Sequence, residues 1–128
     1  MLRCGFELFG VSDFVSYLEE SRREHFPEAQ RAEFGDERDP GMRAFLDSIS
    51  PVNRADEIGA PLLVFQGLND VRVKPAESRR MVEAIREAGG SVRYIEAENE
   101  GHGFESPLNL LYVAAAAMDF LAECLELD

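Results

Sequence analysis

Three short runs of apolar residues punctuate the chain, and the stretches between them carry a helical repeat. The middle run, Leu62-Leu63-Val64-Phe65, contains no polar residue and lies between Pro61 and Gly67. A compact run of this β-propensity predicts a strand buried on both faces, as in a parallel sheet. Cys4 to Gly10 reads as a strand that starts almost at residue 1. Glu7 is out of place in it and has no assigned role beyond a reach toward the sheet's carboxyl rim. The third run, about Ser91 to Ala97, alternates weakly at Val92-Arg93-Tyr94-Ile95, as an outer strand does.

Helical signals fill the gaps. Ser12-Asp13 caps a helix to about Arg23, with Phe14, Val15, Tyr17 and Leu18 on one side. Glu24 to Phe34 is charged and irregular, with Pro27 opening a short helical turn, and residues 35–41 form a loop. Met42 to Ile49 is apolar at Met42, Phe45, Leu46 and Ile49, and Ser50-Pro51 stops it. Val52 to Ile58 adds a further helical turn. Pro75 opens a helix with Met81, Val82, Ile85 and Ala88 at the 3.6 spacing, and Gly89-Gly90 ends it. The last helix covers about Pro107 to Glu126, where four successive alanines permit close approach to a sheet. The order is β-α-α-β-α-β-α, an α/β class with about three parallel strands flanked by helices.

Composition then narrows the functions. At 128 residues, 45% hydrophobic and 30% charged, the chain is one globular domain at most, with a modest core. Twenty-five acidic against 13 basic residues leave a net charge of −12, which argues against nucleic acid or anionic membrane as a partner. Cys4 and Cys124 lack metal-site spacing. They read as two buried thiols in a reducing compartment, with a disulfide closing nearly the whole chain as the alternative. No secretory signal is visible. The longest uninterrupted apolar run, Leu110 to Met118, falls short of the roughly 20 residues of a membrane span. The expectation is a soluble, cytoplasmic protein.

The chemistry gathers just beyond the middle and third strands. Asn69-Asp70 follows the middle strand, and one of only two histidines, His102, follows the third within Glu100-Gly101-His102-Gly103-Phe104. Ligands and catalytic groups collect at the carboxyl rim of parallel sheets. Two neighbouring strands would deliver a carboxylate and an imidazole to one place. An Asp accepting from one ring nitrogen leaves the other free as a general base. The bland reading of Asp70 is an Asx turn or helix cap. His25, in a charged segment, carries little catalytic weight. Glu96, Glu98 and Glu100 could hold a hard cation, but a solvated acidic rim is the preferred reading.

Pro61-Leu-Leu-Val-Phe-Gln-Gly-Leu-Asn-Asp-x-Arg-Val-x-Pro75, followed by Glu100-Gly-His-Gly-Phe104, resembles the α/β-hydrolase domain of the prolyl oligopeptidase family, which includes acylaminoacyl peptidases. The resemblance extends back through Ser50-Pro51 to Gly10-Val11-Ser12-Asp13 and forward through the last helix, so residues 1–128 would form a partial catalytic domain. It is the carboxyl-terminal part, with the sixth, seventh and eighth strands of the sheet. The resemblance implies Asp70 and His102 as triad members, Arg72 as a binder of a substrate carbonyl, short or acylated peptides as substrates, and no cofactor or metal.

The family's nucleophile motif, Gly-x-Ser-x-Gly, occurs nowhere in these residues. Ser12 precedes Asp70 and His102 in the α/β-hydrolase order. However, Phe14 stands where the tight nucleophile turn requires a small residue, so Ser12 reads as a helix cap. The isolated chain is therefore expected to be inactive. Its first strand would present an apolar edge covered by a second copy, by upstream polypeptide or by rearranged local structure. Two alternatives stand beside the peptidase reading. One is a fragment of a dienelactone-hydrolase-like esterase, and the other a non-catalytic module that pairs through that edge.

Overall fold

The computed structural model describes residues 2–21 and 27–126. Its elements follow in the order β1 (Gly5–Leu8), α1 (Phe14–Ser21), α2 (Pro27–Phe34), α3 (Pro40–Ile49), a 3-10 segment (Pro51–Glu57), β2 (Leu62–Gly67), α4 (Pro75–Glu87), β3 (Val92–Ala97) and α5 (Pro107–Leu125). The three strands form one parallel sheet in the order β1-β2-β3. Three parallel strands with helical crossovers are what the resemblance implies for the far half of such a sheet.

Strand β2 is central because its side chains serve both faces. Leu63 and Phe65 are 1% and 0% exposed and pack with Cys4 and Phe120, roofed by Val113, Ala117 and Leu121 of α5. Val64 and Gln66 point to the opposite face, where Gln66 meets Ser78 of α4. Burial of this kind stabilises by roughly 25 cal/mol per Å² of apolar surface, and alternating side chains spread it over two layers. A second cluster, Val15, Leu18 and Leu46 with Phe34 and Met42, joins α1, α2 and α3.

Two differences from expectation have clear causes. The charged stretch before Phe34 forms an eight-residue helix, α2, rather than a single turn. Arg31 folds inward against Glu37, with two hydrogen bonds of 2.8 Å, and both side chains are buried. A paired buried charge breaks no hydrophobic period, so pattern reading gives no sign of it. Helix α3 begins at Pro40 instead of Met42 because the Asp39 carboxylate accepts from the Met42 amide at 2.8 Å and Pro40 fits the first turn.

Helix α5 also differs. Asp119 and Glu123 are the only charged residues in it and Asn109 the only other strongly polar one, and by length and composition it could cross a membrane. In this fold one side of it lies on the sheet, while Leu108, Leu111, Tyr112 and Met118 face outward. The free edge of β1 likewise lacks local cover, since Phe6 and Leu8 are 49% and 42% exposed. Rearrangement of the chain's own described residues therefore does not shield that edge.

Glu77, near the start of α4, clasps the β1–α1 turn. Its buried Oε2 accepts from the Ser12 and Asp13 amides at 3.0 and 2.8 Å, and its Oε1 accepts from Ser16 Oγ and Arg80. Replacing it strands several buried donors. Glu77→Ala is expected to cost about 2–4 kcal/mol in urea unfolding; a loss within error of zero would contradict the clasp.

Glu7 accepts from the Gly10 amide and borders an apolar cavity of about 110 Å³ with Val11, Leu62, Val64 and Met81. Burial raises its carboxyl above the ordinary 4.5, against a weaker opposing pull from the Gly10 amide. A carboxyl that holds its proton more tightly when folded opposes folding above the unfolded value, and its contribution is favourable only below it. Glu7→Gln should thus be more stable than the parent at pH 7 and lose that advantage as the pH falls through the raised folded-state value toward 4.5. Denaturant midpoints measured at both pH values check this.

Candidate active site

Strands β2 and β3 pair from Leu62–Val92 to Gly67–Ala97, so the loops that follow them leave the sheet side by side. The Leu68 amide donates to the Ala97 carbonyl and the Asn69 amide to the Glu100 carbonyl, both at 2.9 Å. Gly67 permits this approach, since a Cβ there would lie 2.4 Å from the Gly101 carbonyl oxygen. In the second loop Gly103 takes φ +105°, which suits glycine, and turns the chain just after His102.

The loops bring Asp70 and His102 together. His102 Nδ1 lies 2.9 Å from Asp70 Oδ2, with the Asp70 side chain 0% and the imidazole 32% exposed. Asp70 Oδ1 accepts from the Arg72 and Val73 amides at 2.8 and 2.9 Å. The Asp70 carboxylate serves as acceptor throughout, which assigns the neutral ring's proton to Nδ1 and leaves the Nε2 lone pair unspent. The arrangement is that of a general base with its orienting acid.

Behind the dyad sits Gln66, a residue to which the sequence reading gave no role. Its Nε2 donates to the carbonyls of Gly67 and Val73 at 3.0 and 3.2 Å and lies 3.4 Å from Asp70 Oδ2, while its Oε1 accepts from Ser78 Oγ at 2.7 Å. It therefore closes the Asp70 turn from within the core. A lone polar residue near the end of an apolar strand gives no periodic signal of such a role.

Phe9 was missed as well. It ends β1 at φ 59°, a left-handed conformation uncommon for a bulky side chain. Its ring lies 5.4 Å from that of His102 and 5.3 Å from that of Phe104, forming a wall beside the imidazole. No motif announces such a contact, which depends on the β1–β2 pairing.

The other candidates sort as follows. Arg72 donates its backbone N–H to Asp70, and its side chain is exposed. Burial pushes the Tyr17 phenol above its ordinary range. A hydrogen bond from Gln30 opposes the shift, and Arg72 and Asp70 are near enough to act on the phenol too. Ser12 does not cap α1, contrary to expectation. Asp13 does so through Oδ1 to the Val15 and Ser16 amides, while Ser12 Oγ is buried 2.8 Å from the Glu77 carbonyl oxygen and 2.9 Å from Glu77 Oε2.

Nor do the three glutamates form a uniformly solvated rim. Glu96 pairs with Arg79 at 2.6 Å. Glu100 is 3% exposed and accepts from Asn109 and from the Glu105 and Ser106 amides, which hold its carboxyl below the usual range. Among the described residues no group of three His, Cys, Asp or Glu side chains is placed to hold a metal ion. His25 lies outside the described residues.

Comparison with known proteins agrees with this architecture. The family model for the prolyl oligopeptidase family matches residues 2–128. Dipeptidyl aminopeptidase BIII of Pseudoxanthomonas mexicana is 38% identical over 124 residues, 95% of this chain and 18% of that protein. Esterase LipQ of Mycobacterium tuberculosis is 33% identical over 101 residues, 77% of this chain and 22% of that protein. A solved Mycobacterium tuberculosis puromycin-hydrolyzing peptidase superposes with a TM-score of 0.86 at 29% identity, over 98% of this chain and 19% of the other. The chain thus spans about a fifth of the length of these relatives.

The Asp70–His102 contact is directly observable in solution. In ¹⁵N NMR the neutral His102 ring is expected as the Nδ1–H tautomer, and Asp70→Asn should abolish that bias while leaving the backbone spectrum of β3 in place. A ring protonated on Nε2 in the unsubstituted chain would contradict the assigned hydrogen bond.

Proposed function

The chain belongs to the prolyl oligopeptidase family, and from that premise we propose that it supplies the acid–base half of a serine peptidase active site. One observation carries this reading: a fully buried Asp70 carboxylate, fixed by two amides, lies 2.9 Å from His102 Nδ1. His102 Nε2 takes the proton of a serine hydroxyl as that oxygen attacks a peptide carbonyl. Asp70 stabilises the imidazolium, and the proton then passes to the leaving amine. Water repeats the cycle on the acyl-enzyme. Arg72, at the same rim, holds a substrate carbonyl near the scissile bond. The substrates are short or acylated peptides, a class in keeping with the name of the dipeptidyl aminopeptidase relative.

The serine has to come from outside these 128 residues, which contain no Gly-x-Ser-x-Gly. In our reading it arrives on a strand added alongside β1, whose apolar Phe6 and Leu8 are half exposed. By itself the chain is inert toward peptides. A second reading, an esterase half-site, draws on the match to the mycobacterial esterase.

The test pairs this chain with a polypeptide carrying the upstream hydrolase strands and Gly-x-Ser-x-Gly of the dipeptidyl aminopeptidase relative. The pair should label with a fluorophosphonate and cleave aminoacyl anilides, and Asp70→Asn should lower kcat/KM about 10⁴-fold. Good ester turnover without anilide cleavage would favour the esterase reading. Stoichiometric labelling of the chain alone would refute its inertness.

A further inference from the structure

The entrance of the first strand and the last helix carry the chain's two cysteines, and the fold closes the 120-residue separation between them. Cys4 stands immediately before β1 and is 8% exposed, inside the cluster of Leu63, Phe65 and Phe120. Cys124 lies one helical turn beyond Phe120 and packs against that same cluster. An ion pair next door independently places the two ends in contact, since Arg3 Nη2 lies 3.9 Å from Glu126 Oε1. The residues flanking the two cysteines therefore touch across the same seam.

We propose that Cys4 and Cys124 form a disulfide that ties the last turn of α5 to the entrance of β1. The reaction is thiol–disulfide exchange with a small disulfide such as oxidised glutathione. The Cys124 thiolate, the less buried of the two, attacks one sulfur of the reagent to give a mixed disulfide and one free thiol. The Cys4 thiolate then attacks the Cys124 sulfur and expels the second thiol. Two protein thiols are oxidised, one reagent disulfide is reduced to two thiols, and the two protein protons leave on the products.

Burial pushes the Cys124 thiol up to about 11, and the Cys4 thiol is close enough to add to that shift through a hydrogen bond. With Cys4 8% exposed inside the core cluster, a small reagent has little access to it in the finished fold. The bond therefore closes as the chain folds, before the seam is sealed. Closing so long a loop removes chain entropy from the unfolded state, the arrangement in which a cross-link stabilises most. It also holds on the sheet a helix whose outer face has no local cover.

The whole chain, denatured and reduced, is refolded in a mixture of reduced and oxidised glutathione. The expected product is a monomer about 2 Da lighter than the reduced chain, with a tryptic peptide pair linking Cys4 to Cys124. Its Tm should exceed that of the reduced chain by about 5–15 °C. The double variant Cys4→Ala/Cys124→Ala should show no such difference between the two buffers. Two thiols still free to alkylation after denaturation, glutathione left on either cysteine as the end product, or linkage only between chains would each overturn the proposal. So would an internal bond that lowers Tm.

Discussion

A buried carboxylate with no solvent around it is the constraint from which the site is built. Asp70 is accessible to no water, so the burial cost of its charge has to be offset by donors held in fixed positions. Two are backbone amides of its own turn, a third is the Gln66 amide nitrogen at longer range, and the fourth is the His102 ring. Each donor depends on another part of the fold. The amides need the turn that leads into α4, Gln66 needs Ser78 on that helix, and His102 needs the loop after β3 welded to the loop after β2. Removing any of these leaves the carboxylate short of a partner, which explains why the rim is knit so closely.

That knitting is local in sequence. Nearly every contact fixing the dyad comes from residues between Leu62 and Asn109, with Phe9, just after β1, contributing from outside that span. The Asp70–His102 contact therefore forms within the three strands of this sheet. Two strands in register and a glycine at the crossing point suffice to place acid against base. In the proposed reading catalysis asks for a third group on a separate strand, and among the described residues the flank of β1 is open on that side.

Much of this was legible beforehand, for identifiable reasons. The strand at Leu62–Phe65 announced itself because burial on both faces leaves no room for polar residues, and the pairing of Asp70 with His102 followed from two parallel strands ending together. Gln66 was invisible because a single amide at a strand end has no periodicity. Arg31 with Glu37 and the buried Glu77 were invisible for a related reason. Charged residues read as surface unless their partners are known, and the Glu77 partners Ser12, Ser16 and Arg80 lie on two other elements or a turn away. The capping of α1 went to Asp13 instead of Ser12 because Glu77 competes for the Ser12 hydroxyl. Tertiary contact overrode a local preference.

The open surfaces and the site belong to one argument. Phe6 and Leu8 lie on the same sheet face as Leu63 and Phe65, the face that α5 roofs, yet α5 does not reach far enough to cover them. A sheet flank that is apolar and hydrogen-bond-competent suits the added strand we propose, and a polar or charged strand surface would serve solubility better. The same incompleteness places a demand on α5, which contributes much of the core beneath it while exposing leucines on its other side. A helix so placed gains from any constraint that keeps its inner face seated. The seam at Cys4 and Cys124 lies where such a constraint acts on both problem surfaces at once, the entrance of β1 and the end of α5.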